Sequence, residues 1–163
     1  MLSRAEIAPE YKWSAQSIFE SDVAWEAEFK RLQEQLPGLG KHQGRLGDGP
    51  AALAEARRAV DDVVGRVGKV FVYASLSHHV DTTDQAAARM YGQAQGLFGQ
   101  MLAAIAFIDP ELLAIGEATL RQWMKDEPRL AVMAHYVEDL FRKQAHVRSA
   151  EVEELLGMLS DPF

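Results

Sequence analysis

The chain has 163 residues, no cysteine, and 17 basic against 24 acidic side chains, for a formal charge of −7. Its length suits one domain with a core of its own, and the missing cysteines exclude disulfides and thiolate metal sites. The acidic excess is concentrated in residues 109–163, with 6 basic and 11 acidic side chains, so the clustered Lys and Arg that a nucleic acid or an anionic membrane surface requires are not there.

The absence of cysteine fits a reducing, cytoplasmic setting. Residues 1–6 lack the apolar stretch of a signal peptide. No unbroken run of about 18 apolar residues occurs, so no membrane span is expected.

Residues 1–20 read as an extended arm. Its large apolar groups, Tyr11, Trp13, Ile18 and Phe19, follow no period and are expected to tack the arm onto a body. Ser21 or Asp22 can cap a first helix. Trp25, Phe29, Leu32 and Leu36 then follow at helical spacing until Pro37-Gly38 stops it. Residues 38–49 hold five glycines and read as loop with room for one short helical turn.

Pro50 suits the first turn of a long helix to about residue 78. Leu53, Ala56, Val60, Val64, Val67, Phe71 and Ala74 would form its inward stripe. Asp81-Thr82-Thr83-Asp84 supplies a turn and an N-cap. A second long helix follows to residue 108, with Tyr91, Ala94, Phe98, Leu102 and Ile105 inward. The short connection predicts an antiparallel hairpin. Gly65 and Gly68 in the first helix, and Gly92, Gly96 and Gly99 in the second, each cost about 1 kcal/mol relative to alanine. Close approach of the two helices is the expected offset.

Asp109-Pro110-Glu111 opens a short helix to Ile115, and Gly116 breaks it. Residues 117–126 form another, with Leu120, Trp123 and Met124 inward. Pro128 opens an amphipathic stretch carrying Leu130, Met133, Tyr136, Val137, Leu140 and Phe141. Ser149 caps a last helix with Val152, Leu155, Leu156 and Leu159 on its apolar face. Asp161-Pro162 is a better opening than an ending, so the chain reads as cut. The fold class expected is all-α: a single helical domain, 1–163, built around the hairpin at 50–78 and 84–108. Residues 1–20 form its arm and 109–163 its shorter C-terminal helices.

The search for chemistry is negative. A helical zinc peptidase needs His-Glu-x-x-His, which sets two imidazoles on one helix face beside a water-activating Glu. None of the five histidines, His42, His78, His79, His135 and His146, stands in that pattern. His78-His79 with Asp81 and Asp84 is the one metal-like cluster. Adjacent helical residues point about 100° apart, so the pair reads as helix-end histidines meeting the dipole. Tyr136 of His135-Tyr136 belongs to the core stripe, with Glu138 and Asp139 solvated. Ser75 and Ser77 lack nucleophile-elbow glycines. Gly38-x-Gly40 and Gly47-x-Gly49 are lone pairs that follow no strand. No catalytic or metal residue is named, and no substrate-binding residue can be.

Several segments in order resemble one family. Glu10-Tyr11-Lys12-Trp13, Ser17-Ile18-Phe19 and Trp25-Glu26 are similar to the start of oligoendopeptidase F proteins, with Ala15 where an aliphatic Leu is usual. Val72-Tyr73-Ala74-Ser75-Leu76 and Asp81-Thr82-Thr83-Asp84 look like that family's long hairpin and its turn. Pro128-Arg129-Leu130, His135-Tyr136, Leu140 and His146-Val147-Arg148-Ser149, with Glu153, Glu154, Leu155 and Leu156, resemble the segment before the catalytic half, Arg148 replacing a usual Leu.

The resemblance implies the N-terminal helical domain of a thimet-type zinc endopeptidase that cuts short peptides. It implies one wall of a substrate channel, with the zinc ligands and catalytic Glu outside residues 1–163. On that reading this chain holds no cofactor and is inactive alone, its partner being the catalytic domain of the same polypeptide. The alternative is a stand-alone helical interaction or oligomerisation module, self-associating through the exposed cut face.

Overall fold

The computed structural model describes residues 6–8 and 11–144. Six α-helices lie among them: α1, Asp22–Gln35; α2, Pro50–Val80; α3, Gln85–Ile105; α4, Ile108–Ile115; α5, Glu117–Asp126; and α6, Ala134–Gln144. Short 3-10 segments at Ala15–Ser17, Leu36–His42, Leu46–Asp48 and Pro128–Met133 link them. No strand occurs among the described residues, and the chain is all-α. The helix expected after Ser149, His146 and the terminal Asp161-Pro162 lie outside the described residues.

Local chemistry explains the boundaries. Ser21 sits in extended backbone, and its hydroxyl accepts from Ala24 N–H at 3.2 Å, capping α1. Asp84 accepts from Ala86 and Ala87 N–H and caps α3. Between α2 and α3, Asp81 Oδ1 accepts from both the backbone and the hydroxyl of Thr83, which closes the hairpin turn. Gly116 has φ +87°, a left-handed conformation that favours glycine, and separates α4 from α5.

Two boundaries differ from expectation. The second hairpin helix ends at Ile105, not 108. The Ala106 N–H turns back to Ala103 O, and Ile108 opens α4 with Pro110 in its first turn, where the missing N–H costs nothing. The stretch after Pro128 is 3-10 up to Met133 and α-helical only from Ala134.

The chain packs as two compact units. The first holds the described residues up to Gln43, with Glu55–Phe107; the second holds Gly44–Ala54 and the described residues from Ile108 onward. In the first, Trp25, Phe29 and Leu32 of α1 are buried with Val63, Val67, Val70 and Tyr73 of α2 and Met90, Ala94, Leu97 and Met101 of α3. Each buried Val, Leu, Met or Phe among them contributes about 1.5–3 kcal/mol relative to exposure. Trp25 stacks on Phe29, and Phe19 meets Tyr73 edge-on. Arg66 donates to Glu28 at 2.6 Å and to Gln35 and Asp62, tying α2 to α1.

Several inward assignments are corrected. On α3 the buried face is Ala87, Met90, Ala94, Leu97 and Met101, so Phe98 is 39% and Leu102 50% exposed. On α2, Val64 is exposed and Val63 and Val70 are buried. The α3 stripe was rotated by one residue, about 100° of helix, whereas on α2 the expected Leu53, Ala56, Val60, Val67 and Ala74 are all buried. The glycine expectation fails too: a Cβ at Gly65, Gly68, Gly92, Gly96 or Gly99 would meet nothing within 4 Å. These glycines do not serve close helix approach. In the arm, Tyr11 is 81% and Trp13 64% exposed, so neither is buried on the body; Ile18 and Phe19 are half-buried.

In the second unit α4, α5 and α6 pack on one another. Its buried residues include Leu46, Leu53, Leu112, Leu120, Leu130, Met133 and Val137. Glu111 in the first turn of α4 accepts from Gly44 N–H at 2.5 Å and Leu46 N–H at 3.2 Å, pinning the glycine-rich loop. Tyr136 is 37% exposed rather than core, and its hydroxyl donates to Asp109.

One stretch, Gln85–Ile115, is long and apolar enough to cross a membrane by length and composition, which the search for an unbroken apolar run misses. A turn at Ala106 and Phe107 divides it. Its Asp109 and Glu111 are both used in hydrogen bonds of the second unit.

Candidate functional site

The histidines do not converge. His78 and His79 occupy the last turn of α2, as the dipole argument expects. Their ring centroids are 5.5 Å apart, and both rings lie against Tyr91, His78 stacked and His79 edge-on. His79 Nδ1 is 2.7 Å from Ser75 O and 3.2 Å from Ser75 Oγ. His78 Nδ1 is buried without a hydrogen-bond partner among the described residues. Among those residues no three His, Asp or Glu side chains gather as a metal would require. The zinc that the family resemblance implies therefore finds no fitting donor set among the described residues.

The Ser75–His79 pair has the residue types of a nucleophile and base but not their setting. Its ring nitrogen also meets a backbone carbonyl of its own helix, and the ring lies against Tyr91 rather than against an orienting carboxylate. Ser77 donates to Tyr73 O at 2.9 Å, an ordinary bond back into the preceding turn. His135 and Glu138 are exposed, and Asp139 pairs with Arg142 and Lys143.

A cavity of about 310 Å³ lies beside the hairpin turn, with Trp13, Leu76, Val80 and Met90 as apolar lining and Asp22, Asp81 and Asp84 as carboxylates. All three carboxylates have structural duties. Asp22 accepts from Tyr73 OH at 2.8 Å, Asp81 holds Thr83, and Asp84 caps α3. Shifted titrations follow the same logic. Burial, and then the bond to Asp22, push the Tyr73 phenol up to about 12. Hydrogen bonds from Arg129, side chain first and then backbone, pull Glu127 down to about 2. Lys143 leads in lowering Asp139. Each perturbed group is explained by a fold contact rather than by a shared reacting centre.

A different feature stands out on the hairpin. Phe71 of α2 meets Tyr91 and Phe98 of α3 at 5.8 and 5.5 Å. These rings join the outer faces of the two helices into one surface on which Val64, Val72, Phe98 and Leu102 are all exposed. Sequence reading missed it by assigning Phe71, Phe98 and Leu102 to the core. The available signal was the scarcity of charge: Arg89 is the one charged residue in α3.

Comparison with known proteins gives this helical body relatives. The family pattern described as Oligopeptidase F matches residues 111–163. The chain is 33% identical to Oligopeptidase PepF of Bacillus subtilis (strain 168), over 98% of this chain and 25% of that protein. It is 30% identical to Group B oligopeptidase PepB of Streptococcus agalactiae serotype III (strain NEM316), over 99% of this chain and 27% of that protein. The crystal structure of oligoendopeptidase-F from Enterococcus faecium superposes on 83% of this chain and 27% of its own, at 32% identity and a TM-score of 0.73. The chain thus spans about a quarter of the length of the curated relatives it matches. Sequence along nearly the whole chain, together with the fold, makes it resemble the N-terminal domain of oligoendopeptidase F proteins.

Proposed function

We propose that this chain acts as the N-terminal, channel-forming part of a zinc-dependent oligoendopeptidase that hydrolyses short peptides in the cytoplasm. The observation that carries the reading is the match to Oligopeptidase PepF along 98% of the chain. His-Glu-x-x-His does not occur within the 163 residues. Zinc and the water-activating Glu then belong to the catalytic domain of the same polypeptide. The helical body contributes shape: it walls the space in which a peptide lies and limits substrates by size. Among the described residues no acid–base pair, nucleophile or metal set offers catalysis of its own, so the chain alone is inactive.

The test is direct. The purified 163-residue chain is incubated with a library of short internally quenched peptides, with added zinc and with chelator. No cleavage is expected. Chelator-sensitive cleavage by this chain overturns the assignment of all chemistry to another domain.

A further inference from the structure

We infer that the uncharged outer face of the α2–α3 hairpin is the seat of the remaining part of an oligoendopeptidase, the three quarters of its relatives' length that this chain does not span. The inference rests on the family reading above and adds to it a surface and an occupant.

On α2, Val64 and Phe71 follow at helical spacing, with Val72 about 100° further round on the side away from the buried stripe; on α3, Tyr91, Phe98 and Leu102 follow at helical spacing. The contacts of Phe71 with Tyr91 and Phe98 put both rows on one side of the hairpin. Four of the six are exposed, Val72 at 45% and Leu102 at 50%. Of the charges that α2 carries nearby, Arg66 and Asp62 pair on the side of Glu28, while Asp61, paired with Arg57, and Lys69 stand at its border, three residues before Val64 and Val72. A contiguous apolar surface of this kind marks an interaction site. Gly68, Gly92 and Gly99 add to it. Nothing stands within 4 Å of where their Cβ atoms would be, so their helix cost is not offset inside this chain. Bare backbone there lets an incoming element approach closely.

The choice of occupant follows from charge and length. A surface stripped of charge resembles the core of a permanent interface rather than a transient one. A second copy brings another body of net charge −7, which opposes association. The Enterococcus faecium structure carries the same fold as 27% of a longer chain, so a covalent neighbour is at hand in the family.

The test is a chimera in which this chain replaces the matched quarter of Bacillus subtilis Oligopeptidase PepF, compared with the isolated chain by hydroxyl-radical footprinting. Phe98, Leu102 and Val72 are expected to label readily in the isolated chain and to lose most of that labelling in the chimera. Val23, 77% exposed on α1, is the reference and should label in both. Val72→Glu with Leu102→Glu should lower the melting temperature of the chimera but not of the isolated chain. Equal labelling in both proteins overturns the inference, as does a chimera that does not unfold as one unit. A concentration-dependent dimer of the isolated chain that shields Phe98 and Leu102 also overturns it, in favour of a second copy. Peptidase activity is read separately. An inactive chimera with a shielded face sinks the functional reading and keeps this one; an active chimera with an open face does the reverse.

Discussion

The indole N–H of Trp25, buried in α1, donates to the backbone carbonyl of Val70 in α2 at 2.9 Å. Val70 lies in the middle of a 31-residue helix, so this bond fixes the register of α1 against the hairpin. Trp25→Phe keeps an aromatic ring beside Phe29 but removes the donor and leaves a gap. A loss of about 2–3 kcal/mol is expected, from one hydrogen bond plus the missing ring volume. Urea unfolding of the two proteins measures it; a loss below about 0.5 kcal/mol would show that the bond does not hold the helices together.

Tyr73 and Asp22 make a second tie between the same helices, and it is sensitive to pH. The phenol donates to the carboxylate and has its pKa raised from 10.0 to about 12 by burial first and that bond second. A raised folded-state pKa contributes stability that is complete below the unfolded value near 10. Between about 10 and 12 the unfolded chain releases this proton while the folded chain keeps it, so stability falls as pH rises. Tyr73→Phe should therefore be less stable at neutral pH by about 1 kcal/mol and should show a shallower decline through that alkaline window. Parallel denaturation curves at stepped pH test both statements, and identical slopes would contradict the assigned shift.

In the second unit, Glu111 alone receives two backbone N–H groups of the loop, from Gly44 and Leu46. Gly44 has φ +75°, so the loop is held in a conformation that few residues adopt. Glu111→Ala should leave both donors to water and cost about 1–3 kcal/mol. Amide exchange at Gly44 and Leu46 should quicken while that of α1 stays unchanged. Unaltered exchange at both amides would mean that the loop keeps its shape without the carboxylate.

Apart from the end of α3 and the 3-10 stretch after Pro128, the element boundaries were legible because they rest on local chemistry. Ser21, Asp84, Gly116 and the prolines act through bonds to their immediate neighbours, which sequence displays directly. The inward faces were less legible. α3 carries one charge in 21 residues, so an apolar period can be drawn through Phe98 and Leu102 as readily as through Leu97 and Met101. Only packing against α1 and α2 decides between them. Tyr11 and Trp13 failed for a related reason: a large apolar side chain predicts burial, but not by what. The absence of His-Glu-x-x-His was legible because that spacing is itself local and is read directly from the sequence.

The glycines give the prediction that separates this chain from a longer polypeptide. A methyl group at Gly92 or Gly99 meets nothing within 4 Å, and both residues sit in the interior of α3. Gly92→Ala and Gly99→Ala should each stabilise the isolated chain, by up to about 1 kcal/mol, through helix propensity and a less flexible unfolded state. The natural sequence forgoes that gain at two positions on the uncharged face. If the face is covered in a full-length protein, the same methyl groups should meet the covering element there, and the double substitution should destabilise the Oligopeptidase PepF chimera while stabilising the isolated chain. Thermal unfolding of both proteins, with and without the pair of substitutions, reads the two signs. Stabilisation in both would mean that the glycines spare no neighbour.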